Sequence, residues 1–432
     1  MAVQNIFNNV SFITSKALKT VRNNCKMVSR AARRWDGDFA QSFRIGDTLN
    51  VRLPGYYSYR TGAAANPGGY NDSWVPIQLV QGGADIELTS KELSLNVDEF
   101  IRNVSEPLAA TVWQQLDLIA MNVINPSAVL AAANPLTGQG FNQFNLPWTS
   151  ANANGIGQSM SNLLPFVDGF AYMKTQSAVH LDGKTSGMLN PHSNAQLFQG
   201  LSTLLLPTKE VSEQYRLGSM GNAGGVDFFD TANAPALTLG TWSGTILYSS
   251  GATDGGNTIT VSGMTGTFAA GEHFTIAGVN AVNPSGKGLQ AELKHLVVVQ
   301  QVGSVITFSP PLHLTGPLQN VNALPTGNAA IYPWGNSSTQ ALSAGTGQIV
   351  KQSLVFHEDA ILYAMGDLMD AAGAGGTVGK VISGSRMKDE MSGLRCRSLF
   401  WYDGFNDKML YRLDVLVGAN VGRQGFAAVV AQ

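Results

Sequence analysis

Charge is scarce in this sequence. Asp, Glu, Lys and Arg make up 13% of its 432 residues, about half of the 25% usual in globular proteins. The formal net charge is -2, which excludes a chain whose whole body binds nucleic acid by positive charge. Cysteine is nearly missing as well. Cys25 and Cys396 lie too far apart in sequence to suggest a disulfide framework or a zinc site, and a reducing compartment is the expectation. No apolar run approaches the ~20 residues that a spanning helix needs. The opening "MAVQNIFNNVSF" lacks the basic start and long apolar core of a signal peptide. A cytoplasmic site of synthesis and no membrane partner are therefore expected.

The signatures of common chemistries are missing too. The six histidines form no HExxH or HxxxH pair, and there is no GxSxG elbow and no GxxxxGK[ST] loop. "GAGGTVG" at 373–379 is glycine-rich, but no apolar strand leads into it, which suits a mobile loop better than a phosphate cradle. "HED" at 357–359 could supply acid–base groups, yet its place in a short segment suits a strand end. No catalytic residue, metal ligand or cofactor is expected. Few charges and 48 glycines instead suit a subunit that buries much of its outside against copies of itself.

Acidic residues are wholly absent before Asp36, whereas "KALKTVRNNCKMVSRAARRWD" holds seven basic ones. On a helix Lys16, Lys19, Arg22, Lys26, Arg30, Arg33 and Arg34 fall within roughly a third of the circumference. Ala17, Leu18, Val21, Val28, Ala32 and Trp35 face the other way. The spacing predicts an amphipathic helix, either a solvated face or a contact with nucleic acid, an acidic partner or a lipid surface.

Residues 46 to 97 read as a long two-stranded excursion. "DTLNVRLP" and "DIELTSKELSLNV" alternate as strands do, and the Gly/Pro/Asn/Tyr-rich stretch between them reads as a loose tip. Such a ribbon cannot stand alone. Tyr56, Tyr57, Tyr59, Arg60, Tyr70 and Trp74 cluster near its tip, as interface anchors do, or else pack on the chain's own body. "SEPLAATVWQQLDLIAMNVI" predicts a long helix. Ser105 is a fair N-cap, Pro107 sits in the first turn, and Leu108, Val112, Leu116, Ile119 and Val123 recur at helical spacing. From 155 to 235 the pattern is mixed: two helical stretches, a turn into a short strand at "KTSGMLN", and a glycine-broken "GSMGNAGGVDFFDT".

From 236 to 345 there are only five charges, Asp254, Glu272, Lys287, Glu292 and Lys294. The runs "GTILYSS", "NTITVSG", "EHFTIAGV", "HLVVVQQV" and "SVITFSP" predict a small all-β barrel or sandwich, inserted into a larger domain. "RSLFWYDG" and "KMLYRLDVLVG" then read as strands around a turn, with 369–386 as a Gly/Ala loop.

The stretch "TGTFAAGEHFTIAGVNAVNPSGKGLQAELKHLVVVQQVGSVITFSPPL", then "VFHEDAIL", then "SGLRCRSLFWYDGFN" resembles, in that order, the major capsid proteins of tailed bacteriophages. The likeness is to the coat proteins of Salmonella-type short-tailed phages. The resemblance implies an α+β, Hong Kong 97-type capsid fold with an inserted all-β barrel. Its parts would be an N-terminal arm (1–45), an extended β-loop (46–97), a peripheral domain with its spine helix (98–139), an axial domain (140–235, returning at 346–400), the inserted barrel (236–345) and C-terminal peripheral strands (401–432).

It implies a structural subunit and not an enzyme, assembling in the host cytoplasm into an icosahedral virion shell. The partners implied are other copies in hexamers and pentamers, a scaffolding protein, a portal protein and the packaged double-stranded DNA. Separate decoration proteins are left open. Residues 46–97 would cross onto a neighbour, and the basic arm would line the interior, meeting scaffold first and DNA after maturation. From the residues alone, a β-rich adhesin or sugar-binding particle protein, a glycoside hydrolase with non-local carboxylates and a nucleic-acid binder led by the arm remain as alternatives.

Overall fold

The computed structural model describes residues 26–31, 48–53, 57, 62–63, 73–89, 104–122, 163–175, 185–201, 221–335, 337–338, 341–342, 344–368, 381–388, 394–403, 406, 408–422 and 424–431. The helices are α1 (Glu106–Asn122), α2 (Leu164–Thr175) and α3 (Pro191–Leu201). The first strands are β1 (Thr48–Leu53), β2 (Ser73–Gln78), β3 (Val80–Thr89), β4 (Thr185–Leu189), β5 (Asn222–Ala223) and β6 (Val226–Asp230). Then come β7 (Ala236–Thr238), β8 (Thr241–Ser243), β9 (Leu247–Ser250), β10 (Gly256–Ser262), β11 (Thr265–Gly266), β12 (His273–Ile276), β13 (Asn280–Val282), β14 (Leu289–Leu293), β15 (Leu296–Val302) and β16 (Val305–Leu312). The last are β17 (Ile331–Pro333), β18 (Ala344–Thr346), β19 (Ile349–His357), β20 (Ile361–Gly366), β21 (Val381–Lys388), β22 (Arg395–Asp403), β23 (Lys408–Val421) and β24 (Ala427–Ala431).

The chain divides into two compact units. The first comprises Met1–Val51, Pro76–Ala120 and Leu362–Asn420; the second comprises Arg52–Val75, Met121–Ile361 and Val421–Gln432. In this division β21 and β22 fall in the unit of α1, and β24 falls in the second unit.

In the first unit β23 pairs with β20, β22 and β3, and β22 with β21. Met409, Tyr411, Leu413, Val415 and Val417 alternate onto the buried face of β23, the period of two that a one-sided sheet demands. Phe400 stacks on Tyr411 at 4.6 Å. The regular part of helix α1 starts at Glu106 and buries Ala109, Val112, Leu116 and Ala120; Ser105 lies in a short π turn ahead of it, and its buried Oγ does not make the expected cap. Leu108 and Ile119 lie half-buried at the edges of that stripe.

Three local readings are corrected. The partner of β1 is β2, which occupies the stretch expected to be a loose tip; β3 pairs with β23 instead. Val75, Ile77 and Leu79 are buried at alternate positions, so burial outweighs the weak strand preference of "SWVPIQ", with its proline. The last third of the expected Gly/Ala loop, from Val381 on, belongs to β21, held by β22. The glycine-broken stretch contains β5 and β6, with Gly224 and Gly225 at positive φ between them.

The second unit contains a sheet in the order β24–β19–β4–β6–β5. Strands β4 and β6 run parallel, which requires a crossover, and α3 supplies it. Strand β4 is buried throughout. Gly187 is needed there, because a Cβ would sit 2.6 Å from the Phe228 ring. Phe166 of α2 meets that ring edge-on at 5.3 Å.

Strand β7 leaves this sheet paired to β19, with Thr238 opposite Ile349 and Leu237 opposite Val350. Everything between is a separate β-rich body. Its main sheet runs β17–β12–β15–β16–β10–β9. The two end strands meet at the antiparallel bridge Leu247–Ala330, with Tyr248 N–H donating to Ala329 at 2.8 Å and Ile331 N–H to Ile246 at 2.9 Å. The sheet therefore closes on itself around Ile259, Phe274, Ile276, Leu296, Val298, Ile306, Phe308 and Leu312.

Candidate subunit interface

The described part of the basic arm does not continue one helix from Lys16 to Asp36. Val28–Arg30 form a single 3-10 turn, and Ala31 is already extended. Met27 and Val28 are fully buried, while Lys26 is exposed. Asp117 of α1 explains this local path. Its Oδ1 accepts the Val28 N–H at 3.3 Å. Burial pushes its carboxyl up to about 6, against the opposing pull of the backbone N–H groups of Val28, Met27 and Lys26 and the Lys26 charge. The Lys26 carbonyl accepts Ser29 Oγ at 2.8 Å and Arg30 NH1 at 3.1 Å. Met27 and Val28 are thus docked, and Lys26 is exposed. Lys16, Lys19, Arg22, Arg33 and Arg34 lie outside the described residues, which hold Lys26 and Arg30 of the seven cations.

Of the aromatic anchors, Tyr57 and Trp74 are described, and they are 68% and 54% exposed. Arg52 lies over the Trp74 ring at 5.8 Å, across the β1–β2 ribbon. Exposed rings of this size are the raw material of contact surfaces. Tyr56, Tyr59, Arg60 and Tyr70 lie outside the described residues.

The β-rich body uses its few charges internally. Glu272 is fully buried. Its Oε1 accepts Gly240 N–H at 2.6 Å and Ala269 N–H at 2.8 Å; its Oε2 accepts the indole N–H groups of Trp242 at 2.9 Å and Trp334 at 3.4 Å. Four donors converge on one carboxylate, so its charge is solvated by the chain itself. Burial still raises its pKa on balance. Gly240 fits there because a Cβ would meet Thr267 O at 2.1 Å. Asp254 caps Leu314 N–H at 2.8 Å and Thr315 Oγ1 at 3.0 Å, and Lys287 Nζ donates to Pro317 O at 2.6 Å.

The body also grips α2. The last carbonyl of that helix, at Thr175, accepts Asn283 Nδ2 at 2.8 Å and Gln290 Nε2 at 2.7 Å. Tyr172 meets His295 edge-on at 5.5 Å. Burial holds His295 near 3, His273 near 4 and Lys294 near 8. Of the five charges counted in the sequence, Glu272 and Lys294 are enclosed by the body, while Asp254 and Glu292 stay exposed. Glu272 does carry a signal in hindsight: a lone acid beside "HFTI" in a stretch almost free of charge.

No three His, Cys, Asp or Glu residues among the described ones are placed to hold a metal ion. His357 ends β19, as expected, and its Nδ1 accepts the Asp359 N–H at 3.3 Å to cap the turn Glu358–Ala360. Cys396 is buried, its thiol pushed up to about 12 by burial. No helix among the described residues is long and apolar enough to cross a membrane.

No protein-family model matches the chain, and no curated protein does. The solved structures it is similar to include phage capsids over most of its length. The capsid of Ralstonia phage GP4 aligns at 8% identity and TM-score 0.47, covering 93% of this chain and 87% of the other. That of cyanophage P-SCSP1u aligns at 10% identity and TM-score 0.39, covering 90% and 84%. The I-domain of the CUS-3 coat protein aligns at 26% identity and TM-score 0.17, covering 22% of this chain and 94% of that domain.

Proposed function

We propose that this chain is the major capsid protein of a tailed phage, a subunit that assembles into an icosahedral head shell around double-stranded DNA. The observation that carries the reading is the path of the chain. It leaves the second unit's sheet through β7, builds a closed β-rich body, and returns through β19 to a central place in the same sheet. That is the layout implied by the capsid motifs quoted from the sequence. In this reading the body is the inserted barrel, α1 is the spine helix, and the first unit is the peripheral domain. The role is structural, exercised in the virion after assembly in the host cytoplasm.

The exposed Tyr57 and Trp74 fit a ribbon completed by a neighbour. The basic arm fits the shell interior, facing an acidic scaffolding protein first and the packaged genome later. Neutralising Lys19, Arg22, Lys26 and Arg30 together is expected to impair scaffold-dependent assembly; unimpaired assembly would sink the scaffold contact. A portal and separate decoration proteins complete the expected set of partners.

The deciding experiment is sedimentation and negative-stain electron microscopy of the chain, expressed alone and beside its genomic neighbours. Closed shells of uniform size are expected in at least one condition. A stable monodisperse monomer in both would overturn the capsid reading.

A further inference from the structure

Strands β21 and β22 pair with Arg386 opposite Arg397 and Lys388 opposite Arg395. Directly opposed residues of an antiparallel pair share a face, so four cations form a two-by-two block. Like charges opposed in this way destabilise a sheet unless anions offset them.

Two anions are in place. Arg395 NH1 donates to Asp367, and Arg397 NH2 donates to Asp414 Oδ2 at 2.6 Å. Asp414 is already shared, because Arg412 Nε donates to its Oδ1 at 2.6 Å. Arg395 has its side chain only 5% exposed, and its Nε meets no acceptor among the described residues. Arg386, Arg395, Arg397, Asp367 and Asp414 line one cavity. Among the described residues no carboxylate pairs with the exposed Arg386 or Lys388. The exposed Arg386 and Lys388 thus present positive charge at this edge.

The other edge of the same sheet presents negative charge. Strand β3 pairs only with β23 among the described strands, placing Asp85 opposite Arg412 and Glu87 opposite Leu410. Both carboxylates therefore share the face of Asp414 and Arg397. Their side chains are 53% and 50% exposed, held among the described residues by Arg412 at 3.6 Å and by Lys408, themselves 41% and 45% exposed. Ion pairs so exposed have little net strength and exchange partners readily. Asp85–Glu87 and Arg386–Lys388 both have the two-residue spacing of a strand, about 6.6 Å. Trp401, 47% exposed, lies between the two edges on this face, opposite Leu410.

We propose that the cationic edge β21–β22 of one copy of this chain receives the acidic edge β3 of a second copy, head to tail. The exposed Arg386 and Lys388 take the carboxylates of Asp85 and Glu87. A contact between two different patches repeats from copy to copy, and closes into a ring when the rotation allows. The proposal rests on the shell reading and names a contact within it.

The test uses the full chain under whichever condition gives wild-type shells, with yield read by sedimentation and microscopy. R386E/K388E and D85K/E87K are each expected to lower shell yield roughly tenfold or more, because opposed like charges suppress association. Unassembled chains should keep wild-type circular dichroism. The four substitutions combined are expected to restore shells, since the charges are then exchanged. Wild-type yield from both single-edge variants, or no recovery in a folded quadruple variant, overturns the contact and leaves the shell reading standing. If D85K/E87K fails to fold beside Arg412, D85N/E87Q replaces it, and undiminished yield there overturns the contact equally. No shells from the wild-type chain would instead refute the shell reading, and this contact with it.

Discussion

Every strand pairing of the closed sheet joins segments lying between Leu247 and Pro333. The sheet of the first unit is assembled over a far greater span. Its β3–β23 ladder joins Val80–Thr89 to Lys408–Val417, and Asn420 Nδ2 reaches back to Pro76 O at 2.6 Å across 344 residues. Closing a loop of some 300 residues costs about 3 kcal/mol more than closing one of ten. The first sheet cannot begin to recover that cost until β23 has been reached. The β-rich body meets no such delay, so local pairing lets it form early. The lesson is that two regions with similar strand chemistry differ in how much of the chain each needs.

Four predictions test that difference, from the largest effect to the smallest. A fragment spanning residues 236–346 is expected to fold alone, with a cooperative thermal melt and dispersed amide resonances. A fragment of 362–420 is expected to stay unfolded, lacking β3 and α1. A molten 236–346 fragment would remove the contrast.

Acid should act on the body next. His273 and His295 are held near 4 and near 3, below the ordinary value of 6.5, by burial. A depressed histidine adds stability that is present above pH 6.5 and is lost as pH falls toward its folded value. Each would remove about 3 kcal/mol by pH 4. Glu272 and Glu292, raised by burial, act in the opposite sense over the lower part of that range. The readout is therefore the difference in urea midpoint between wild type and H273Q/H295Q, expected to narrow from pH 7 to pH 4. A pH-independent difference would show that the imidazoles are not the acid-sensitive groups.

Third, E272Q turns two acceptor oxygens into one and aims an NH2 group at N–H donors. It is expected to cost the body about 3–5 kcal/mol, while near-ultraviolet signals from the first unit persist. A shift of both units together would contradict their separate stability. The smallest effect belongs to N283A, which removes one of two caps from the α2 C-terminus for about 1 kcal/mol. A loss as large as that of E272Q would mean that the grip on α2 governs the stability of the body.

Much of this difference was legible in the residues. "NTITVSG", "HLVVVQQV" and "SVITFSP" became β10, β15 and β16 because β-branched runs bounded by glycine leave few other choices. Helix α1 was legible from Pro107 and its apolar period. Among the strands missed are β2, β6 and β21. Their local composition, with Pro76, the Gly224–Gly225 turn or Gly384, argues for loops, and pairing with β1, β4 and β22 makes them strands. The arm misled for a related reason. A helical wheel cannot see that Asp117, some 90 residues on, draws Val28 into a 3-10 turn. The cationic block was also hidden, because its four members become neighbours only through the β21–β22 register.

The pairing of Thr238 with Ile349 has a consequence at the level of the gene. Those two residues stand where the arms of a hairpin stand before its turn. Deleting 239–348 and joining the arms through a two-residue Asn-Gly link would leave β7 and β19 in register. The roughly 110 residues between them are thus a cassette, admitted through a single doorway in the backbone. A recombination event could have exchanged one cassette for another and left the host sheet's own hydrogen bonds untouched.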